Sequence, residues 1–461
     1  MTHSEFDRRM NDAPYSTIWN LAWPQVVMMF FHFMIGFVDV WVAGRIGRET
    51  QACMGVMSQA MFFFMVVAIA LANGSVAAIS QSSGAGLPRR IKRFVGLGVG
   101  LGVVTGLVIL IFGLWFDERF LSLLQIPPEL MPIASYLLEV SLYLMPAYYV
   151  FTITNAFFRA QKLVTLPLYS MVLVTVVNTL GDLGLGLGLW GLPELGYKGI
   201  AWATFGSVVC GTIYNIVMLH RCGLLCAQCF APWRWTRLAL PYLIRVAWPA
   251  GLMQLVWHSA YMVLYAITAS LPVGSVVAMA GMSAGIRVEA VLFLPAMAFN
   301  FTASILVGHY LGQDRRAEAK RVGYRIMAVG VAVISVFTAL LWTVIGPVTA
   351  FIAPDPEVQA EAVNYLAWNM TAQPPMLAAM ILGGAFTGAG ATMYQAIIFG
   401  TSAWLVRLPL AYVLGHVVLR SSDGVWMAMF ASVLVQCGTM FYFYQCKDWY
   451  KFTLRKSRRT A

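Results

Sequence analysis

The chain has 461 residues, 60% of them hydrophobic and only 11% charged. A soluble protein carries roughly 25% charged residues, so this composition excludes a water-facing globular surface. The formal net charge of +11 does not indicate nucleic acid, because the basic residues are scattered over six segments between apolar runs.

Apolar runs of about 20 residues recur along the chain, each long enough to cross a hydrocarbon core of about 30 Å as a helix. They lack the alternation of barrel strands, so the sequence predicts an all-α integral membrane protein. Twelve spans are expected, at 17–44, 53–80, 94–116, 131–156, 163–189, 197–220, 242–270, 276–308, 324–350, 359–386, 392–418 and 424–446. The first is too long for a signal peptide, contains Asp39 and is followed by no small-residue cleavage site.

The first span holds Pro24, His32 and Asp39. Proline in a helix removes a backbone hydrogen bond and permits a kink. His32 lies seven residues before Asp39 on the same face and reads either as a hydrogen-bonded packing histidine or as a proton relay. Spans one and two are dense in Met and Phe, including Met28, Met34, Met57, Met61 and Phe62. Such side chains pack helices and face lipid, and they also suit a cavity that accepts many shapes. The fifth span carries Asn178 and Asp182 one helical turn apart in an otherwise uncharged run, and the sixth carries Thr204. The glycines of "GDLGLGLGLWG" fit close helix packing or a loosened helix end better than a phosphate loop.

Ionisable groups inside spans cost about 2.5–3.5 kcal/mol each on insertion scales and are functional candidates by default. At about 1.5 Å per residue, Asp39 lies about 7 Å, Asp182 and Thr204 about 10 Å, and Asn178 about 16 Å inside the outer ends of their spans. All four share the outer half of the membrane. Together they offer two carboxylates, an amide oxygen and a hydroxyl. This all-oxygen set suits a hard cation, or a proton held between acids that cannot both stay ionised cheaply. The plainer reading pairs each acid with a buried base, but no Lys or Arg lies in these three spans at that depth.

The segment 221–240 is basic and contains Cys222, Cys226 and Cys229. It ends a membrane helix, so these are expected to be free cytoplasmic thiols rather than metal ligands. The eighth span holds Arg287 and Glu289, the eleventh Arg407. Two residues apart on a helix, Arg287 cannot face Glu289. Glu289 is expected either to pair with Arg407 or to form a second proton or substrate site.

With the amino terminus inside, the inner segments hold 23 Lys and Arg and the outer segments 5, which predicts two cytoplasmic termini. The chain also repeats itself. "LAWPQVVMMFFHF" (21–33) returns as "VAWPAGLMQLVWH" (246–258), and "KGIAWA" (198–203) as "DGVWMA" (423–428). The expected organisation is a cytoplasmic segment 1–15, an N-lobe 16–220, a cytoplasmic linker 221–240, a C-lobe 241–446 and a basic tail 447–461. Six spans per half make the copies parallel repeats around a central cavity, an organisation common among transporters. In the second half Leu264 replaces Asp39, Arg407 replaces Asn178 and Ala411 replaces Asp182. Cation coupling is therefore expected in the first lobe alone.

The "AWP…VDVWVAGRIG" opening and "GIRVEAVLFLPAMAFNFTASILVGHYLGQDRRAEAKR" (285–321) resemble the multidrug and toxic compound extrusion (MATE) family over nearly the whole chain. The resemblance implies twelve helices in two lobes around a V-shaped cavity, and export of organic, often cationic, compounds driven by H+ or Na+ entry. Asp39, Asn178, Asp182 and Thr204 fall where the DinF-like branch of that family places its cation site. Asn155 matches a polar cavity position, and Pro24 matches a proline linked to bending of the first helix.

An antiporter for small organic compounds is thus the leading expectation, with a flippase for a lipid-linked precursor as the alternative; Arg287 and Arg407 would suit a phosphate headgroup. An enzyme is not expected: the acids have no paired His or Cys at matching depth, and neither H-E-x-x-H nor G-x-S-x-G occurs. No Walker motif is present, so an ion gradient must supply the energy. The expected setting is a bacterial inner membrane, with lipid, small organic solutes and H+ or Na+ as partners, no cofactor, no resident metal, no nucleic acid, and a monomeric chain.

Overall fold

The computed structural model describes residues 14–123, 126–226, 229 and 231–454. Arg8, Arg9, Arg455, Lys456, Arg458 and Arg459 of the topology argument lie outside the described residues, as do the rest of 1–13 and 455–461. Every regular element among the described residues is a helix. The long ones are α1 (Pro14–Ile46), α2 (Arg48–Gly84), α3 (Pro88–Leu123), α4 (Met131–Ala160), α5 (Thr165–Gly181) and α6 (Tyr197–Arg221) in the first half. In the second half they are α7 (Trp233–Ala269), α8 (Ser275–Gly312), α9 (Arg316–Thr343), α10 (Pro356–Ala389), α11 (Thr392–Val418) and α12 (Ser422–Cys446).

Among the described residues eleven helices are long and apolar enough to cross a membrane. The one of the twelve that falls short in hydropathy is α10. It is 34 residues long, but Asn364, Asn369, Thr371, Gln373, Pro374 and Pro375 lower its apolar character. Its C-terminal stretch, Leu377–Ala389, is wholly buried against neighbouring helices, so protein rather than lipid covers it. Pro24 lies inside an α1 that runs unbroken from Pro14 to Ile46.

The chain forms two compact units. One runs Val27–Ala247, and the other gathers the chain up to Val26 and from Trp248 onward. The boundaries fall inside α1, two residues after Pro24, and inside α7, next to Pro249. Local contacts account for both assignments. Gln25 is fully buried and donates to Thr302 Oγ1 of α8 at 3.0 Å and to the Leu21 carbonyl at 2.7 Å. Early in α7, Trp235 packs edge-on against Phe94 with centroids 5.1 Å apart, and Tyr242 accepts a hydrogen bond from Gln81 at 3.2 Å.

In the Val27–Ala247 unit, Met57, Met61, Leu138, Met145 and Tyr149 fill the seam between α2 and α4. In the other unit α8 and α10 make the most extensive helix pair. Lipid supplies no hydrophobic drive between such helices, so close backbone approach through small residues carries the packing. Gly384 and Gly388 of α10 lie against the carbonyls of Asn300 and Ser304, where a Cβ would overlap backbone. Asn300 Nδ2 locks the pair by donating to the Met380 carbonyl at 2.6 Å.

A buried carboxylate pair as candidate cation site

Within the Val27–Ala247 unit, α5 reaches Gly181 as a regular helix and then widens into a π-helical turn over Asp182–Gly186. Such turns often mark functional positions, because they rotate side chains off the regular helical face. The widened turn fits against α6 because position 199 is glycine; a Cβ there would overlap the Leu185 carbonyl. Gly181 similarly lies against Ala203. These two close approaches bring the Asn178–Asp182 face to Thr204, about two turns into α6.

The four sequence-predicted residues converge. Asn178 and Asp182 are fully buried. Asn178 Nδ2 donates to Thr204 Oγ1 at 3.4 Å, a long bond, while the Thr204 hydroxyl donates to the Ile200 carbonyl at 3.1 Å. From α1, Asp39 lies within hydrogen-bonding reach of both Asp182 and Asn178. Next along α1, Val42 and Ala43 pack against Ile200 of α6, with Leu183 and Leu187 against the cluster. This apolar cover keeps the local dielectric low.

The oxygen atoms are the informative part. Asp39 Oδ1, both carboxylate oxygens of Asp182 and Asn178 Oδ1 are buried, and none receives a hydrogen bond from the described residues. Buried polar atoms are almost always partnered, and an unmet one costs about 1–3 kcal/mol. Four unmet acceptors in one place have the chemistry to take up a proton or a hard cation, since an oxygen set of this kind matches hard ions. No group of three or more His, Cys, Asp or Glu side chains poised for a metal occurs among the described residues; the two carboxylates lie among neutral oxygens instead.

The other candidates lie apart from this cluster. His32 is exposed on α1. Asn155 is buried near the inner end of α4, where its Oδ1 accepts from Asn215 at 3.0 Å; Asn215 also donates to Thr154 at 3.0 Å. In the other unit, Arg287 is exposed while Glu289 is half-buried on a different face of α8. No Glu289–Arg407 ion pair forms among the described residues. Glu289 accepts from Tyr365 at 3.0 Å and from Gln373 at 2.6 Å. Arg407 donates from Nε to Ser432 at 3.0 Å and lies over the rings of Trp257 and Tyr261 at 4.9 and 5.6 Å. Neutral donors thus satisfy the carboxylate, and aromatic faces hold the cation.

Tyr365, Gln373, Ser432, Trp257 and Tyr261 were not singled out from sequence. The available signal was an uncharged polar or aromatic residue inside a span, which is weaker than a charge. The Cys226 and Cys229 sulfurs lie 3.3 Å apart, and neither is in a disulfide.

Comparison with known proteins gives a consistent answer. The MatE family model matches residues 24–183 and 249–413, once in each half. The chain is 23% identical over 441 residues to the probable multidrug resistance protein NorM of Thermotoga maritima, covering 94% of this chain and 92% of that one. It is 25% identical over 433 residues to the probable multidrug resistance protein NorM of Bradyrhizobium diazoefficiens, covering 91% of each. Its fold matches a crystal structure of MATE in the bent conformation with a TM-score of 0.85 at 18% identity, over 94% of this chain and 95% of the other.

Proposed function

Since this chain belongs to the MatE family, whose members are transporters and not enzymes, we propose that it exports small organic, cationic compounds across the bacterial inner membrane in exchange for H+ or Na+. The relatives named for multidrug resistance support export of organic compounds. The ion is assigned to Asp39, Asn178, Asp182 and Thr204, as in the DinF-like branch. The observation that carries this reading is the set of four buried acceptor oxygens without donors. A proton shared by the two acids, or a Na+ held by all four residues, satisfies them.

The coupling logic follows from differential affinity: an ion shifts a two-state equilibrium only by binding one state better than the other. With the ion bound, the acids are neutralised and the apolar cover can close over them. With the ion released, the paired charges oppose that state. Substrate arriving from the cytoplasm favours the ion-releasing state. Both termini are placed in the cytoplasm, and the monomer suffices because one unit supplies all four residues. Flipping of a lipid-linked precursor is the second reading, favoured by the buried Arg407.

The test is reconstitution into liposomes with ΔpH and ΔpNa imposed separately, following a fluorescent organic cation. Accumulation driven by one gradient, lost in Asp39→Asn, supports the reading. Equal accumulation in Asp39→Asn/Asp182→Asn refutes it.

A further inference from the structure

The second half of the chain has lost the carboxylates yet kept a buried polar centre at the repeat-equivalent place. Arg407 occupies the repeat position of Asn178 and is itself the last residue of a π-helical turn, Ser402–Arg407. It is 2% exposed. Its Nε is taken by Ser432 and its face lies over Trp257 and Tyr261, but Nη1 is buried with no acceptor. The neighbouring Glu289 does not fill that gap: it accepts from Tyr365 and Gln373, and no Glu289–Arg407 ion pair forms among the described residues.

A second orphan points the same way. Gln436 follows Ser432 by one turn on the same face of α12. It is 1% exposed, and neither its Nε2 nor its Oε1 has a partner. A buried guanidinium edge and a buried amide, both unmet, flank the Ser432 that one of them already holds. A buried donor edge left without an acceptor is uncommon. Guanidinium donors in a low-dielectric setting select planar oxyanions.

We propose that Arg407, assisted by Gln436, forms an oxyanion subsite in the second lobe that binds a carboxylate or phosphate carried by the transported molecule. This rests on the export reading and narrows its substrate class. The preferred cargo carries an anionic group beside its cationic one, as a zwitterion does. The half-buried rings of Trp257 and Tyr261 screen the guanidinium until the oxyanion arrives. The repeat has thus produced two centres of opposite polarity, a cation site in one unit and an oxyanion site in the other.

The test uses matched ligands and the full chain in maltoside micelles. Binding of rhodamine B, which carries a free carboxylate, is compared with that of its ethyl ester by fluorescence polarisation. A parallel arm measures competition by dodecyl phosphate against dodecanol. Wild type should bind the acid at least about tenfold tighter than the ester. Arg407→Gln should erase that ratio while leaving ester affinity in place, Arg407→Lys should keep part of it, and Gln436→Leu should reduce it. Acid-over-ester preference places the oxyanion on a soluble solute; preference seen only for dodecyl phosphate over dodecanol places it on a lipid-like carrier. Wild type with neither preference overturns the proposal without any variant having to fold. So does a preference that survives in Arg407→Gln. If wild type binds neither the dyes nor the dodecyl compounds, the export reading falls as well; if it binds the ester as well as the acid, only the oxyanion subsite falls.

Discussion

Replacing Asp182 with Asn keeps the shape of the buried cluster and removes one of its two titratable groups. In the native site Asp39 and Asp182 lie within hydrogen-bonding reach of each other. Two unit charges about 4 Å apart repel by about 4 kcal/mol at an effective dielectric of about 20, so the covered pair keeps one shared proton, and its release in the other state makes one cycle exchange one positive charge. A ΔpH of one unit stores about 1.4 kcal/mol per proton. With the membrane potential clamped at zero, one-for-one exchange against a monovalent cation then sustains about a tenfold cation gradient. The assay is accumulation of a fluorescent cation in acid-loaded proteoliposomes. Wild type should plateau near tenfold per pH unit, and Asp182→Asn should equilibrate with no gradient while still binding the dye. A plateau near a hundredfold in wild type would mean two protons per cycle and would break the shared-charge argument. A tenfold plateau retained in Asp182→Asn would remove the site from the mechanism altogether. If H+ gives nothing and a tenfold Na+ gradient gives tenfold accumulation, the same pair is holding Na+, and the same substitution abolishes it.

Asn178→Ala removes one neutral oxygen and the bond to Thr204, worth about 1 kcal/mol; the ion concentration for half-maximal transport should rise about fivefold with the maximal rate preserved. A cysteine replacing the exposed Trp233 in a cysteine-free background should resist an impermeant thiol reagent in intact cells and react in inverted vesicles; labelling from outside would reverse the topology. Gly384→Ala places a methyl group against the Asn300 carbonyl and should destabilise the protein by about 1–3 kcal/mol, seen as a lowered melting temperature in detergent, whereas Gly36→Ala, with open space around the added carbon, should change it little.

How much of this was legible in the sequence divides by type of residue. The twelve helices followed from the apolar runs, 359–386 included; α10 is the least apolar of them, and its burial against α8 and α12 lets it carry amides and a Pro374–Pro375 pair. The convergence of Asp39, Asn178, Asp182 and Thr204 was legible because a carboxylate in a span costs several kcal/mol and is conspicuous, and because the 3.6-residue period placed Asn178 and Asp182 on one face. The π-helical turn after Gly181 was not legible, since its glycines fit close packing as well as a widened helix. The expected Glu289–Arg407 pair failed for a related reason. Opposite charges within one lobe invite pairing on paper, but Tyr365 and Gln373 reach Glu289 from α10 and two aromatic faces reach Arg407 from α7. Uncharged partners draw little notice in a sequence because an amide or a phenol in a span costs far less than a charge. Gln436 illustrates the limit. By itself it is one polar residue in an apolar helix. Only its burial without a partner, one turn from the serine that holds Arg407, makes it a candidate for binding, and burial without a partner is a property that no local pattern of residues encodes.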